Sequence, residues 1–324
     1  MLPEFNYARP ATLDEAVRLL AAPGARAHAG GTDLLGCLRD GVFPAATVVS
    51  LSGLAELTGI RKALDGGVVV GSLTTLSELA GSSDLAARFP TLAAAAAAAA
   101  SPQLRNQGTL GGNLCQKPRC WYYRGEFRCA RKGGEKCFAV EGENQFHSIF
   151  GGEVCFYVHP SDTAPALVGL DAVIRIAGPS GARSVPADAF FVAPAKDYTR
   201  ETVLGPAEIV TEIVLPAQPQ ETRGTYRKVR ARGAWDFALA GAAVVVTLAD
   251  HRVERARIVL SGVAPIPWRV PAAERALMGH RLGASSASKV ADAAAGNAQP
   301  LGQNAYKVEL VRGAVEEALL AIAG

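Results

Sequence analysis

The sequence has little charge of one sign, no long apolar run near its start and no two cysteines close enough to read as C-x-x-C. Each absence excludes something. A net charge of +3 over 324 residues is too mild to argue for nucleic acid, and no partner class follows from it. The opening stretch MLPEFNYARPATLDEAVRLL carries acids in its first turns and no continuous hydrophobic segment, so it reads as neither a signal peptide nor a membrane span. The expected location is the cytoplasm, or the periplasm only where a partner subunit carries the export signal. What the chain does have is length and apolar content: at 49% hydrophobic it can build real cores, and 324 residues exceed one typical domain, so two or three are expected.

Cysteines are few and clustered. Five of the six lie between Ser101 and Leu167; Cys37 stands alone upstream. Cys120, Cys129, Cys137 and Cys155 have eight, seven and seventeen residues between them, and Cys115 sits directly behind a TLGGNL segment. A disulfide framework would need an oxidising compartment and a small domain short of core, and neither condition holds. Structural zinc usually shows two close cysteine pairs, which disfavours zinc here without removing it. An iron-sulfur cluster tolerates wider spacing, because its core is larger than one ion. Between Lys117 and Lys136 stand seven basic side chains (Lys117, Arg119, Arg124, Arg128, Arg131, Lys132, Lys136) against Glu126 and Glu135. Such a basic collar suits the net dianion that four thiolates make with a four-iron cluster. The bland reading, buried small hydrophobes beside a solvated charged face, sits poorly with a loop so rich in Gly, Arg and Lys.

Residues 11–22 place Leu13, Ala16, Val17 and Leu20 on one face behind Thr12, which predicts a capped helix. In ARAHAGGTDLLGCL, Arg26 to His28 reads as extended, Gly30 and Gly31 permit positive φ, and Thr32 and Asp33 offer a cap to a helix starting at Leu34. Successive amides at such a turn form a donor nest able to hold a pyrophosphate, although a lone Gly-Gly-Thr-Asp is equally an ordinary strand-to-helix turn. Short strands are expected at Thr47–Ser50 and Gly67–Gly71, and a helix over Leu76–Phe89 interrupted by Pro90. A second helix is expected over Thr91–Ala100, whose eight consecutive alanines suit tight packing, ending at Ser101-Pro102. RNQGTLGGNL brings a second glycine turn at Gly111-Gly112, flanked by Thr109 and Asn113. Val173, Ile174, Ile176, Ile209, Ile213 and Leu215 read as strand positions up to Pro216–Pro219; GTYRKVRARGAWDFALAGAAVVVTL and ARIVLSGVAPIPWRV as strand-rich segments; and 287–295 and 306–322 as helices.

Three of these segments, AGGTDLL (29–35), RNQGTLGGNLCQ (105–116) and HPSDTAPAL (159–167), occur in an order and at separations that resemble the FAD-binding medium subunit of the molybdenum hydroxylase (xanthine dehydrogenase) family. The RCWYYRG segment with its following cysteines resembles the variant of that subunit with an extra [4Fe-4S] cluster, as in 4-hydroxybenzoyl-CoA reductase and bacterial aldehyde oxidoreductases. The resemblance covers nearly the whole chain. It implies an α+β fold: a two-subdomain, vanillyl-alcohol-oxidase-like (PCMH-type) FAD-binding domain over 1–219, with subdomains of about 1–58 and 59–219 and a [4Fe-4S] insertion of about 115–157. An α+β flavoprotein domain over 220–324 then covers the flavin. It implies FAD contacts from His28, Ala29, Gly30, Gly31, Thr32, Asp33 and Leu34 and from Thr109, Gly111, Gly112 and Asn113, bracketing the diphosphate. Asp162 would meet the ribityl or ribose hydroxyls, with Ser161 also counted among the cofactor contacts, and Lys228 would approach the isoalloxazine. From the residues alone, Ser161 and Asp162 equally suit a helix cap, Lys228 a solvated strand lysine and Trp235 a core aromatic. The implied cluster ligands are Cys120, Cys129, Cys137 and Cys155, with Cys115 and Cys37 left out.

The implied function is an electron-transfer subunit of a heterotrimeric oxidoreductase, linking the [2Fe-2S] clusters of a small subunit to an external acceptor (NAD, quinone, ferredoxin or oxygen). A large subunit would hold the molybdenum cofactor and choose an aldehyde, aromatic acyl-CoA or purine. No catalytic residue is expected in this chain. Two other classes remain open: an iron-sulfur scaffold whose glycine turns are structural, and a stand-alone flavin oxidase, against which stands the lack of a flavin-attachment motif and of a substrate domain.

Overall fold

Short apolar runs build three separate sheets in this computed structural model, which describes residues 1–323. Strands β1 (Asn6–Ala8), β2 (Ala25–His28) and β3 (Thr47–Ser50) form a parallel sheet in the order β1-β3-β2. Leu13–Leu20 is the predicted helix, capped by Thr12 Oγ1 accepting from the Glu15 amide at 3.2 Å and burying Ala16, Val17 and Leu20. β4 (Ile60–Lys62), β5 (Val68–Gly71), β6 (Val173–Gly178), β7 (Gly181–Pro186) and β8 (Ile209–Leu215) form an antiparallel sheet in the order β4-β5-β8-β6-β7. β9 (Thr222–Val229), β10 (Ala240–Ala249), β11 (Arg252–Ser261) and β12 (Trp268–Arg269) make a third, also antiparallel, in the order β12-β11-β10-β9.

The third sheet is covered on both faces, which is why AGAAVVVTL reads as a nearly continuous apolar run rather than an alternation. Helices Ala284–Ala295 and Lys307–Ala323 contribute to one core with Val244, Val246, Ile258 and Leu260. On the other face Val245 and Val259 join the core formed by Leu92, Ala95, Ala96 and Leu167. The alanine-rich helix Pro90–Ala98 lies so close to β9 that a Cβ on Gly224 would collide with Thr91 Oγ1. Small residues here serve close approach, as the composition suggests.

Helix boundaries differ from expectation in three places. The Leu76–Phe89 pattern is two helices, Leu76–Gly81 and Ser83–Arg88, because the Ser82 hydroxyl caps the second by accepting from the Leu85 amide at 3.3 Å. Pro90 starts the next helix instead of interrupting one, since its missing N–H would be unpaired in a first turn anyway. That helix stops at Ala98, with Ala100 at a φ of 45°, and Pro102 opens a further short helix, Pro102–Arg105. Among the described residues no helix is long and apolar enough to cross a membrane.

Candidate functional site

The AGGTD segment leaves β2 and enters helix Leu34–Arg39. Gly31 has a φ of 72°, and an added Cβ would lie 2.7 Å from His28 Nε2. A Cβ on Gly30 would overlap the Gln107 carbonyl, so this turn is pressed against the RNQGTLGGN segment. Among the described residues, the backbone amides of Ala29, Gly30, Gly31, Thr32, Asp33 and Leu34 donate no hydrogen bond within the chain. Six consecutive free donors on a turn form the kind of concave nest that binds phosphate oxygens.

The second glycine segment is built differently. Leu110–Leu114 is a helix, not a turn, so Gly111 carries no positive φ. Its amide donates to Ser72 O at 2.8 Å, the Gly112 amide to Thr109 Oγ1 at 3.1 Å and the Asn113 amide to Thr109 O at 2.8 Å. Glycine is needed at 111 because an added Cβ would lie 2.8 Å from Ser72 Cβ. Asn113 Oδ1 accepts from Ser161 Oγ at 2.5 Å and Thr163 Oγ1 at 2.7 Å, tying this helix to HPSDTAPAL.

Asp33 and Asp162 each depart from the capping role. The Asp33 carboxylate makes no cap; it accepts from the Lys117 amide at 2.7 Å and pairs with Arg124 at 2.7 Å and Arg119 at 2.9 Å. Ser161 Oγ caps helix Thr163–Gly169 through the Ala164 amide at 2.9 Å, while Asp162 accepts from Tyr226 Oη at 2.7 Å and Lys228 Nζ at 2.8 Å. Lys228 is therefore a buried partner of Asp162, not a solvated strand lysine. Burial pushes the Asp162 carboxyl above its usual range, against the pull of Lys228. Trp235 is no core aromatic: it is 69% exposed with a φ of 52°, and with Asp236 it borders the same cleft.

Three cavities run end to end along these residues. The first, of about 240 Å³, is lined by Gly30, Gly31, Thr32, Gly111 and Gly112. The next shares Thr32, Asp33 and Gly112 with it and reaches Asp162. The last, of about 440 Å³, holds Ser161, Asp162 and His159 and extends to Cys120 and His147. His159 Nδ1 accepts from the Ser161 amide at 3.3 Å, and burial lowers its pKa to about 4.

Cys120, Cys129, Cys137 and Cys155 line one small pocket, walled by Tyr122, Tyr123, Arg131 and Tyr157. Cys115 and Cys37 stand elsewhere, and burial raises their thiols to about 12 and about 11. The side-chain hydrogen bond between Cys137 and Cys155 lowers the Cys137 thiol and raises that of Cys155. Burial raises Cys120 to about 11, opposed by the amides of Tyr123 and Tyr122, which favour its thiolate. Phe156, Ala139 and Val140 do the same for Cys137, and Tyr157 for Cys155. Among the described residues no group of three or more His, Cys, Asp or Glu is gathered in a way that could hold a metal ion.

The basic collar is largely paired with acids. Buried Glu201, which nothing in the sequence singles out, pairs with Lys117 at 2.6 Å and with Arg131. The Arg131 guanidinium lies 4.8 Å from the centre of the Tyr157 ring. Asp33 takes Arg119 and Arg124, and Lys136 meets Glu141 at 3.2 Å. His147 is another residue that sequence reasoning passes over: Nε2 lies 3.3 Å from Cys120 Sγ, and burial reinforced by Lys307 lowers its pKa to about 4.

Sheets, nest and cleft define a mixed α/β protein with a donor-lined cleft, and comparison with known proteins gives the family. Residues 3–218 match the family described as "FAD binding domain in molybdopterin dehydrogenase", and 224–322 match "CO dehydrogenase flavoprotein C-terminal domain". The chain belongs to the FAD-binding medium subunits of the molybdenum hydroxylase and CO dehydrogenase family, and is an oxidoreductase subunit. It is 34% identical to the aldehyde oxidoreductase FAD-binding subunit PaoB of Escherichia coli (strain K12), over 95% of each chain. It is 31% identical to the carbon monoxide dehydrogenase medium chain of Hydrogenophaga pseudoflava, over 98% of this chain and 96% of the relative. Among solved structures, carbon monoxide dehydrogenase from Hydrogenophaga pseudoflava lacking the Mo-pyranopterin moiety superposes with a TM-score of 0.79 at 30% identity, covering 100% of this chain and 98% of that one.

Proposed function

We propose that the chain is the FAD- and [4Fe-4S]-containing electron-transfer subunit of a heterotrimeric molybdenum-cofactor hydroxylase. Its partners would be a molybdenum-cofactor large subunit and a [2Fe-2S] small subunit, and electrons would pass between the [2Fe-2S] clusters and an external acceptor or donor. The observation that carries the reading is the joining of two donor sets: the pocket of Cys120, Cys129, Cys137 and Cys155 adjoins, through Cys120, the cleft that begins at the free amides of Ala29–Leu34. FAD, when bound, handles electrons in pairs and a [4Fe-4S] cluster singly, so together they would match a two-electron couple to one-electron carriers.

The nest and cleft suit FAD, and the four cysteines lining one pocket would supply the thiolates of a cluster. The Ala29–Leu34 amides would hold phosphate oxygens without a side-chain charge, which the Gly31 φ and the Gly30–Gln107 contact make geometrically accessible. Gly112 keeps the cleft open, since a Cβ there would meet only Thr109 Oγ1, at 3.0 Å. Asp162 has two donors already and, as a carboxylate with about four acceptor sites, can take sugar hydroxyls as well. Lys228 holds a cation beside that carboxylate, where it would favour an anionic flavin ring. In the cysteine pocket, amides that favour thiolate at Cys120, Cys137 and Cys155 suit sulfur ligands of an anionic cluster. Relatives named as subunits or medium chains, and a solved relative described by its molybdenum cofactor, support the heterotrimer.

Anaerobic purification from the native host tests the reading. The expected preparation contains two further chains, molybdenum, acid-released FAD at one per copy of this chain, and iron beyond that of the [2Fe-2S] partner. A chain that purifies alone, without flavin, contradicts it and favours the scaffold class; one that alone oxidises an aldehyde or purine favours the oxidase class.

A further inference from the structure

Of the four cysteines that share the small pocket, Cys120 is the one that also lines the large cleft. His147 stands at the same point: it borders the cleft, and its Nε2 lies 3.3 Å from Cys120 Sγ. A thiolate sulfur has no proton to give, so with Cys120 as a ligand the ring nitrogen must be the donor. Nδ1, buried, has no hydrogen-bond partner. That tautomer leaves Nδ1 as a bare acceptor, whereas the other would strand a donor there.

The segment carrying His147 is held from a distance. Lys307 Nζ, fully buried, donates to Phe146 O at 3.0 Å and Gly262 O at 2.8 Å. Asn304 Nδ2 donates to His147 O at 3.1 Å and Ser148 O at 3.2 Å. Asn144 and Gln303 exchange bonds, Asn144 N to Gln303 Oε1 at 3.1 Å and Gln303 N to Asn144 Oδ1 at 2.9 Å. A buried Lys307 and two side-chain amides, each bonded to backbone of the 144–148 loop, are costly devices unless the loop must be fixed.

We propose that His147 is a positioning residue for the cluster, donating its Nε2–H to the Cys120 thiolate and setting the reduction potential at the edge of the cluster that faces the flavin cleft. This rests on the assignment of Cys120 as a ligand. A hydrogen bond to a ligating sulfur withdraws charge from it and stabilises the reduced, more negative state; removing the bond lowers the potential. Cys120 then becomes the side of the cluster through which an electron meets the cleft.

The test is an EPR-monitored redox titration, with iron analysis, of the anaerobically purified complex in wild type, His147→Leu and His147→Gln. His147→Leu is expected to keep its iron and shift to lower potential, and His147→Gln, which retains an N–H donor, to return toward wild type. Loss of iron in the Leu variant with retention and wild-type potential in the Gln variant also supports the donor role. Full iron and an unchanged potential in His147→Leu overturns it, as does an equal shift or equal iron loss in both variants, which would reflect packing alone. A wild type without cluster iron, or full iron in Cys120→Ser, would instead remove the ligand assignment beneath it.

Discussion

Gly31, the second glycine of its pair, and Gly111, the first of its own, are constrained by different forces. Gly31 needs its left-handed φ of 72°, which costs a β-branched residue about 1–3 kcal/mol before its side chain meets His28. Gly111 is helical and needs only the absence of a Cβ against Ser72. Gly31→Val and Gly111→Val are both expected to lose acid-extractable FAD; stoichiometric flavin in a variant whose circular dichroism matches wild type would contradict this. His159 carries a pH dependence. Its Nδ1 lone pair accepts from the Ser161 amide, so protonation there breaks that bond as well as burying a charge. With its pKa lowered from 6.5 to about 4, the native state binds fewer protons than the unfolded chain between those values. Stability is then present in full above pH 6.5 and falls as pH drops toward 4, by about 3 kcal/mol at the limit. Urea unfolding at pH 7 and pH 5 should show a smaller loss in His159→Gln than in wild type; equal losses would contradict the assignment.

At the scale of elements, the cysteine-bearing segment 115–157 has no strand of its own and leans on contacts made elsewhere in the chain. Glu201 is the main anchor, holding Lys117 and Arg131 from a position more than sixty residues away. Glu201→Gln leaves the buried Arg131 guanidinium without its counter-charge and should destabilise by about 3–5 kcal/mol. Limited proteolysis should then cut within 128–137 before the rest of the chain; wild-type resistance there would show that the pair holds nothing. The capped helix Leu13–Leu20, strands such as Thr47–Ser50 and Val68–Gly71, and the C-terminal helices were legible because period and capping chemistry are local properties. Where local signals misled, a neighbour in space had decided: the Gly111 amide is held by Ser72 O, and Asp33 is drawn from the helix end by Arg119 and Arg124. Trp235 lies exposed at the cleft because its segment is held by its amide on Ala100 O at 2.9 Å.

At the scale of the whole molecule, the motifs named the family and the four cysteines as a set, since ordered glycine and cysteine patterns survive as sequence. Glu201, His147, Tyr226 and Lys307 were not legible, because each matters only through partners distant in sequence: Asp162 for Tyr226, Cys120 for His147 and Gly262 for Lys307. Three cavities and the cysteine pocket share lining residues one after another, from the free amides at Gly30 and Gly31 to the four cysteines. The most direct test is metal and flavin analysis of anaerobically prepared Cys129→Ser and Cys115→Ser beside wild type. With a [4Fe-4S] cluster on Cys120, Cys129, Cys137 and Cys155, wild type and Cys115→Ser hold about four iron per chain above the partner's share, and Cys129→Ser loses that iron and its EPR signal while keeping FAD. Zinc in place of iron, or full iron in Cys129→Ser, would contradict the account.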